Sequence, residues 1–380
     1  MSVAQRRSVD DVPIVALASD ERLSDNPEGQ PMDGRRSLDW IEDAVVLVDQ
    51  TRLPESFETL RIDDVPAMVA AIQRLSVRGA PAIGVAGAFG VALAVRDHGA
   101  TGEPFESAVA SLRAARPTAV NLARMVDRTA ALAAEGFERV LAEALQIRDE
   151  ELAASVAMGD LGTDLVSDLI GDVPVAAMTI CNTGGLATVE RGTALAVIQT
   201  LHERGRLTEA LALETRPLLQ GARLTTWELA RMGAPHRLVV DSAGPFLLSR
   251  GAADIVLTGA DRIAANGDTA NKIGTYALAL GAARAGVPFV VVAPETTVDM
   301  ATATGGYIEI EDRGPAEVGS IAGVATAPAG TDAVNPAFDV TPVDLITAIV
   351  TDRRVIRIDK GETLATVPLG PLDGPSDRNG

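Results

Sequence analysis

The spacing of apolar residues changes character near residue 172. Upstream, apolar positions recur mainly at helical intervals; downstream they gather into short, unbroken, β-branched runs. Two short stretches at 44–48 and 58–62 come first and read as strands. Asp63 and Asp64 then offer a cap for a helix over 65–75. A second helix is predicted over 81–96, rich in alanine, with Gly84, Gly87 and Gly90 at every third position. That spacing suits close helix packing. With no strand ahead of it, it is not a dinucleotide-binding fingerprint. Further helices are predicted over 105–113, 119–134 and 137–169.

The downstream runs lie at 173–180, 210–213, 238–240, 254–257 and 289–292, separated by amphipathic helical stretches. Continuous apolar runs without alternation are expected of parallel strands covered on both faces. A final strand is expected at 355–358. The pattern therefore predicts an α/β chain with a doubly wound parallel sheet over 171–370. A smaller, mostly helical domain with a few short antiparallel strands precedes it over 38–170. Residues 1–37 and 371–380 lack sustained periodicity and are expected to be disordered.

Composition narrows the function. One cysteine excludes a disulfide framework and points to a reducing compartment, hence the cytoplasm. Three scattered histidines and no Cys/His cluster lead us to expect no metal, and no cofactor motif is present. A net charge of −19 argues against a nucleic-acid partner. No apolar run reaches membrane-spanning length, and the amino terminus is too polar for a signal peptide. The basic residues are almost all arginine, Lys272 and Lys360 being the only lysines.

Polar groups follow every apolar run, and in a parallel sheet they share one edge, where such sheets bind ligands. Cys181-Asn182 ends the first, Glu214-Thr215-Arg216 the second, Asp241-Ser242 the third, Asp261-Arg262 the fourth and Glu295-Thr296 the fifth. Helix capping accounts for Asp241 and Thr296. Cys181 is either a small buried hydrophobe or a thiol activated by the helix that follows. Asp261 is either an acid with a raised pKa or a structural partner of Arg262. Arg78-Gly79-Ala80-Pro81 and Arg116-Pro117-Thr118 each place an arginine just before a helix start, where two such arginines can clamp one phosphate. Lys272, expected at a helix start, and Gln220, expected in a loop, add a cation and a neutral amide. The residues alone thus point to an enzyme acting on a small anion such as a sugar phosphate.

These residues sit in longer motifs: Arg78-Gly79-Ala80-Pro81-Ala82-Ile83-Gly84, Cys181-Asn182-Thr183-Gly184, Gln220-Gly221-Ala222-Arg223, Gly259-Ala260-Asp261-Arg262 and Asn271-Lys272-Ile273-Gly274-Thr275. Through them the chain resembles the methylthioribose-1-phosphate isomerases, a family shared with the regulatory subunits of translation initiation factor 2B. The likeness covers roughly 38–368. It implies Cys181 and Asp261 as the catalytic pair, and substrate binding by Arg78, Gly79, Ala80, Arg116, Gln220, Asn271 and Lys272. It also implies a homodimer with a Rossmann-like second domain, acting in methionine salvage on 5-methylthioribose 1-phosphate. The chain departs from the family pattern at Ile180, where many relatives carry histidine, and at Gly185, where alanine is usual. Two alternatives remain from the sequence. One is an isomerase of 5-deoxyribose 1-phosphate or ribose 1,5-bisphosphate; Phe89 and its alanine-rich helix favour an apolar 5-substituent instead. The other is a non-catalytic regulatory scaffold.

Overall fold

The computed structural model describes residues 36–116 and 119–370. The tail expected at 371–380 and nearly all of the extension expected at 1–37 lie outside the described residues. Ser37 is ordered, its amide donating to Val189 O at 2.8 Å. The first sheet is antiparallel and joins β1 (Leu38–Ile41), β2 (Ala44–Val48) and β3 (Thr59–Ile62). Helix α1 (Val65–Gln73) follows, and Asp64 caps it by accepting from the Ala67 amide at 2.8 Å.

Helix α2 (Ala80–His98) is buried at every position from Pro81 to Val95. By length and composition it is apolar enough to cross a membrane, but 83% of its apolar window is enclosed by the rest of this fold. A helix apolar on all sides needs neighbours on all sides. They are α3 (Glu103–Ala114), α4 (Val120–Ala130), the first sheet and the long helix α5 (Phe137–Ile170). The glycine spacing sets how closely they approach: a Cβ at Gly87 would stand 2.6 Å from Leu122 Cδ1 on α4. Phe89 is fully buried in this core and packs on Trp40. It does not line the cavity described below, so it has no bearing on the substrate's 5-substituent.

Helix α5 serves two cores. Val140, Ala144 and Ile147 pack with α2, whereas Ala154, Met158 and Leu165 pack against the second sheet. That sheet is built from β4 (Val175–Thr179), β5 (Leu207–Leu213), β6 (His236–Val239), β7 (Ile255–Thr258), β10 (Phe289–Val292), β15 (Ala348–Val350) and β16 (Val355–Ile356). Its order is β6-β5-β4-β7-β10-β15-β16, with every neighbouring pair parallel except β15 with β16. Successive residues face opposite layers, as the pleat requires. Val290 and Val292 join α5, α6 (Ala194–Glu203) and α7 (Thr226–Arg231) on one side. Phe289 and Val291 join α8 (Gly244–Ser249) and α9 (Thr275–Ala285) on the other.

Two sequence expectations change here. The strand expected at 355–358 is an antiparallel edge, and the sixth parallel strand is Ala348–Val350, which the sequence reading did not identify. Inserted near the sheet's carboxyl edge is a small sheet of order β11-β8-β9-β14 (Val298–Asp299, Arg262–Ala264, Thr269–Lys272 and Phe338–Thr341). A hairpin, β12 (Ser320–Ile321) with β13 (Val324–Ala325), lies in the long connection before β14.

Candidate active site

The chain leaves β4 and turns outward immediately between β4 and β7, where the strand order reverses. Such reversals open a crevice beyond the strand ends. Cys181 occupies the turn with φ +65°, a left-handed conformation uncommon outside glycine. Three bonds hold it there: its amide donates to Thr215 Oγ1 at 2.8 Å, its carbonyl accepts from Thr225 Oγ1 at 2.7 Å, and Thr215 Oγ1 donates to Leu213 O at 2.9 Å. The helix expected to follow Cys181 does not start beside it. Helix α6 begins only at Ala194, and the Leu195 amide is taken by Thr183 Oγ1 at 3.2 Å.

One cavity is lined by Arg78, Gly79, Ala80, Arg116, Cys181, Gln220, Asp261, Asn271 and Lys272. All nine residues singled out from the sequence therefore meet. Helix α2 starts at the cavity wall, and Gly79, with φ +94°, makes the turn into it. A Cβ there would stand 2.3 Å from Ala187 O, so only glycine lets the helical region approach the sheet edge this closely. Arg78 crosses the seam. Its Nη1 donates to Asn182 Oδ1 at 2.7 Å, and its Nη2 donates to Asn182 O at 2.9 Å and lies 4.0 Å from Cys181 Sγ. Arg116 faces Glu311 at 3.6 Å.

Asp261 opens on the cavity and is otherwise enclosed by protein. Loss of bulk water pushes its carboxyl above the usual carboxylate range, although Lys272, Arg116 and Arg78 pull the other way. It is not the structural partner of Arg262, which instead faces Asp299 at 3.9 Å. Lys272 ends β9 rather than starting a helix. Its Nζ donates to Ala337 O at 2.7 Å and sits 4.8 Å from the centre of the Phe338 ring. Burial lowers its pKa, opposed by Cys181 and Asp261. Asn271 Nδ2 donates to Thr275 Oγ1 at 3.0 Å. Gln220 stands at the start of a π-helical turn rather than in a loop, and its Oε1 is buried with no hydrogen-bond partner among the described residues, an acceptor at the wall.

Other strand-end residues have structural work. Asp241 is not a helix cap; its carboxylate accepts from the Thr215 and Arg216 amides, each at 2.7 Å, and so ties the end of β6 to the turn that holds Cys181. Arg216 turns away, donating to Pro217 O and Val318 O. A further cation, Arg313, lines the cavity and was missed. It lies in a connection without periodicity, but Arg313-Gly314-Pro315 repeats the arginine-before-turn pattern of Arg78-Gly79-Ala80-Pro81. Its guanidinium is held by Glu317 at 2.6 Å and Glu311 at 3.2 Å.

An enclosed thiol, a carboxyl and several cations line one cavity at the carboxyl edge of a parallel sheet, an arrangement suited to a small anionic molecule. Residues 76–357 match the model of the Initiation factor 2 subunit family, and the chain belongs to that family. It is 53% identical over 84% of its length to a probable bifunctional methylthioribose-1-phosphate isomerase/methylthioribulose-1-phosphate dehydratase of Nocardia farcinica, spanning 59% of that longer protein. It is 49% identical to the methylthioribose-1-phosphate isomerase of Chloroflexus aurantiacus, over 85% of this chain and 95% of that one. The crystal structure of 5-methylthioribose 1-phosphate isomerase from Pyrococcus horikoshii superposes with a TM-score of 0.78 at 39% identity, covering 87% of this chain and 95% of that one.

Proposed function

We propose that this chain is an aldose–ketose isomerase that converts 5-methylthio-α-D-ribose 1-phosphate to 5-methylthio-D-ribulose 1-phosphate, a step of methionine salvage. The observation that carries the reading is the pairing of a carboxyl raised by desolvation with a thiol in one cavity ringed by Arg78, Arg116 and Lys272. The names of the relatives at about half identity support it over the alternatives. A 1-phosphate locks the sugar as a ring, so no free aldehyde exists. The ring oxygen must receive a proton as its bond to C1 breaks, a task for a neutral carboxylic acid, which we assign to Asp261. Hydrogen then passes from C2 to C1 and the C2 hydroxyl gives up its proton, which restores the acid and leaves a carbonyl at C2. In an enediolate route Cys181 takes the C2 proton and a proton returns to C1; in a hydride route Cys181 shapes the environment of the shift.

Arg78 and Arg116, with the amides of Gly79 and Ala80, are assigned to the phosphate, and Gln220, Asn271 and Lys272 to the sugar hydroxyls. A bisphosphate would need a second free cation; Arg313, the further cation at this wall, is neutralised by Glu317 and Glu311. The test is turnover of the three candidate sugars, followed by proton NMR in deuterated water. Formation of the methylthio ketose supports the reading, and no ketose phosphate from any 1-phosphopentose would sink it. Deuterium at C1 selects the enediolate route.

The same reading covers the architecture. Leaving β16 aside, the order of the parallel strands runs outward from β4 to both edges, which supports a Rossmann-like description of 171–370, with 38–170 as the helical domain. Leu238 and Val240 at β6, Phe246 on α8 and Tyr276 and Leu280 on α9 are exposed, which supports a homodimer through this face. A cytoplasmic location fits the lone free thiol and the metabolic relatives.

A further inference from the structure

Behind the cavity wall lies a carboxylate that the proposed chemistry does not use. Glu228, on α7, is 6% exposed and, among the described residues, has no cation within ion-pair distance, although Arg78 acts on it from farther off. It accepts from Asn182 Nδ2 at 2.6 Å and from the amides of Gly185 and Leu186. Space for it exists because residue 184 is glycine: a Cβ there would meet Glu228 Oε2 at 2.4 Å. Burying a carboxylate without a contacting cation is costly, and the shortage of water around it raises its pKa to about 7. A costly group kept in place calls for a function.

The hydrogen bonds supply one. The ionised carboxylate only accepts, so it dictates that the Asn182 amide turns its NH2 inward, where Thr225 Oγ1 accepts from it as well at 3.3 Å. Asn182 Oδ1 must then face outward, where it accepts from Arg78 Nη1 at 2.7 Å. With the amide reversed, Asn182 would offer N–H groups to a guanidinium that has only donors. The structure assigns Glu228 as a positioning residue, which fixes the Asn182 amide so that Arg78 is held over Cys181 and into the phosphate end of the cavity. This inference rests on the assignment of Arg78 to the phosphate. Glutamine is no substitute for Glu228, because it would set its own NH2 against one of the three donors.

The test uses the full-length enzyme carrying E228Q, N182A and both. Because the phosphate is present in substrate and transition state alike, loosening Arg78 removes uniform binding, so KM should rise about tenfold or more with kcat within about threefold. The double variant should lose no more than about twofold beyond N182A alone, since both act through one contact. The thermal shift produced by inorganic phosphate should shrink in parallel. That last measurement needs no turnover, so a wild-type protein that binds phosphate but isomerises nothing defeats the proposed function and leaves this inference standing. Unchanged KM and phosphate response in E228Q, or additive losses in the double variant, would overturn it. If E228Q does not fold, N182A carries the decision, and a wild-type KM in that variant refutes the positioning role.

Discussion

The two walls of the cavity are made differently. The helical wall offers Arg78, Arg116 and the backbone turn at Gly79 and Ala80, groups that donate hydrogen bonds and stay charged or neutral throughout. The sheet wall offers Cys181, Asp261 and Lys272, all able to exchange a proton, with Asn271 and Gln220 between them. Their supports differ too. Arg78 reaches across the seam to Asn182, while Cys181 is held just beyond β4 by Thr215 and Thr225, the Asp261 amide donates to Ala270 O at 2.9 Å, and Lys272 ends β9. On the proposed function the division is one of labour: one wall grips what does not react, and the other handles what does. A phosphate keeps its charge through the reaction, so permanent cations suit it. A ring oxygen changes protonation, so it needs a titratable neighbour.

If that division is right, substitutions on the two walls should fail in opposite ways. The largest effect is expected at Asp261→Asn and Cys181→Ala, which should lower kcat by roughly 10²–10⁴-fold with little change in KM. Steady-state kinetics check this, and a Cys181→Ala enzyme with near-normal kcat removes the thiol from the chemistry. Next is Arg78→Ala on the gripping wall. It should raise KM by about 10–100-fold, the worth of charge-assisted bonds to phosphate, while kcat falls far less. A kcat collapse in Arg78→Ala with KM unchanged would erase the distinction between the walls.

The sheet wall was the more legible in the sequence, for a physical reason. Strand ends are marked by where an apolar run stops, so Cys181 and Asp261 announced themselves by position. The helical wall was read from Arg78-Gly79-Ala80-Pro81, a signal of turn chemistry that became specific only through the family resemblance. The partners that orient these groups left almost no trace. Glu228 reads as one more polar position on a short helix, and its burial depends on contacts with Asn182 and residue 185, far away in sequence. Asp241 resembled a cap because caps and strand-end bridges use the same residue type. Lys272 looked like a helix start because β9 is only four residues long and ends just before α9. The strand Ala348–Val350 was missed for the same reason: three residues carry too little pattern to separate strand from loop.

A smaller effect is expected where the walls touch. Gly79→Ala should lower stability by about 1–3 kcal/mol, since a φ of +94° disfavours any side chain and the new Cβ meets the Ala187 backbone. Because it also pushes Arg78 away from Asn182, KM should rise without loss of kcat. Thermal denaturation and kinetics on the same sample test both halves.

The smallest effect concerns stability and pH, and it separates the walls without any substrate. Asp261 has a folded-state pKa raised by burial, so between its unfolded and folded values the native chain binds the proton more tightly. In that window stability falls as pH rises, and above it the penalty stays in full. Below the unfolded value both states are protonated and the penalty vanishes. Asp261→Asn removes the ionisation, so the variant should melt about 2 °C or more above wild type at neutral pH and level with it near pH 3. Arg78→Ala should move the opposite way: it removes a cation that favours the ionised Asp261, so its deficit against wild type should grow from about pH 3 to neutral pH. An Asp261→Asn protein less stable than wild type at neutral pH would mean that the charged carboxylate is favoured by Lys272, Arg116 and Arg78 after all. It would then be a counter-ion rather than a proton donor.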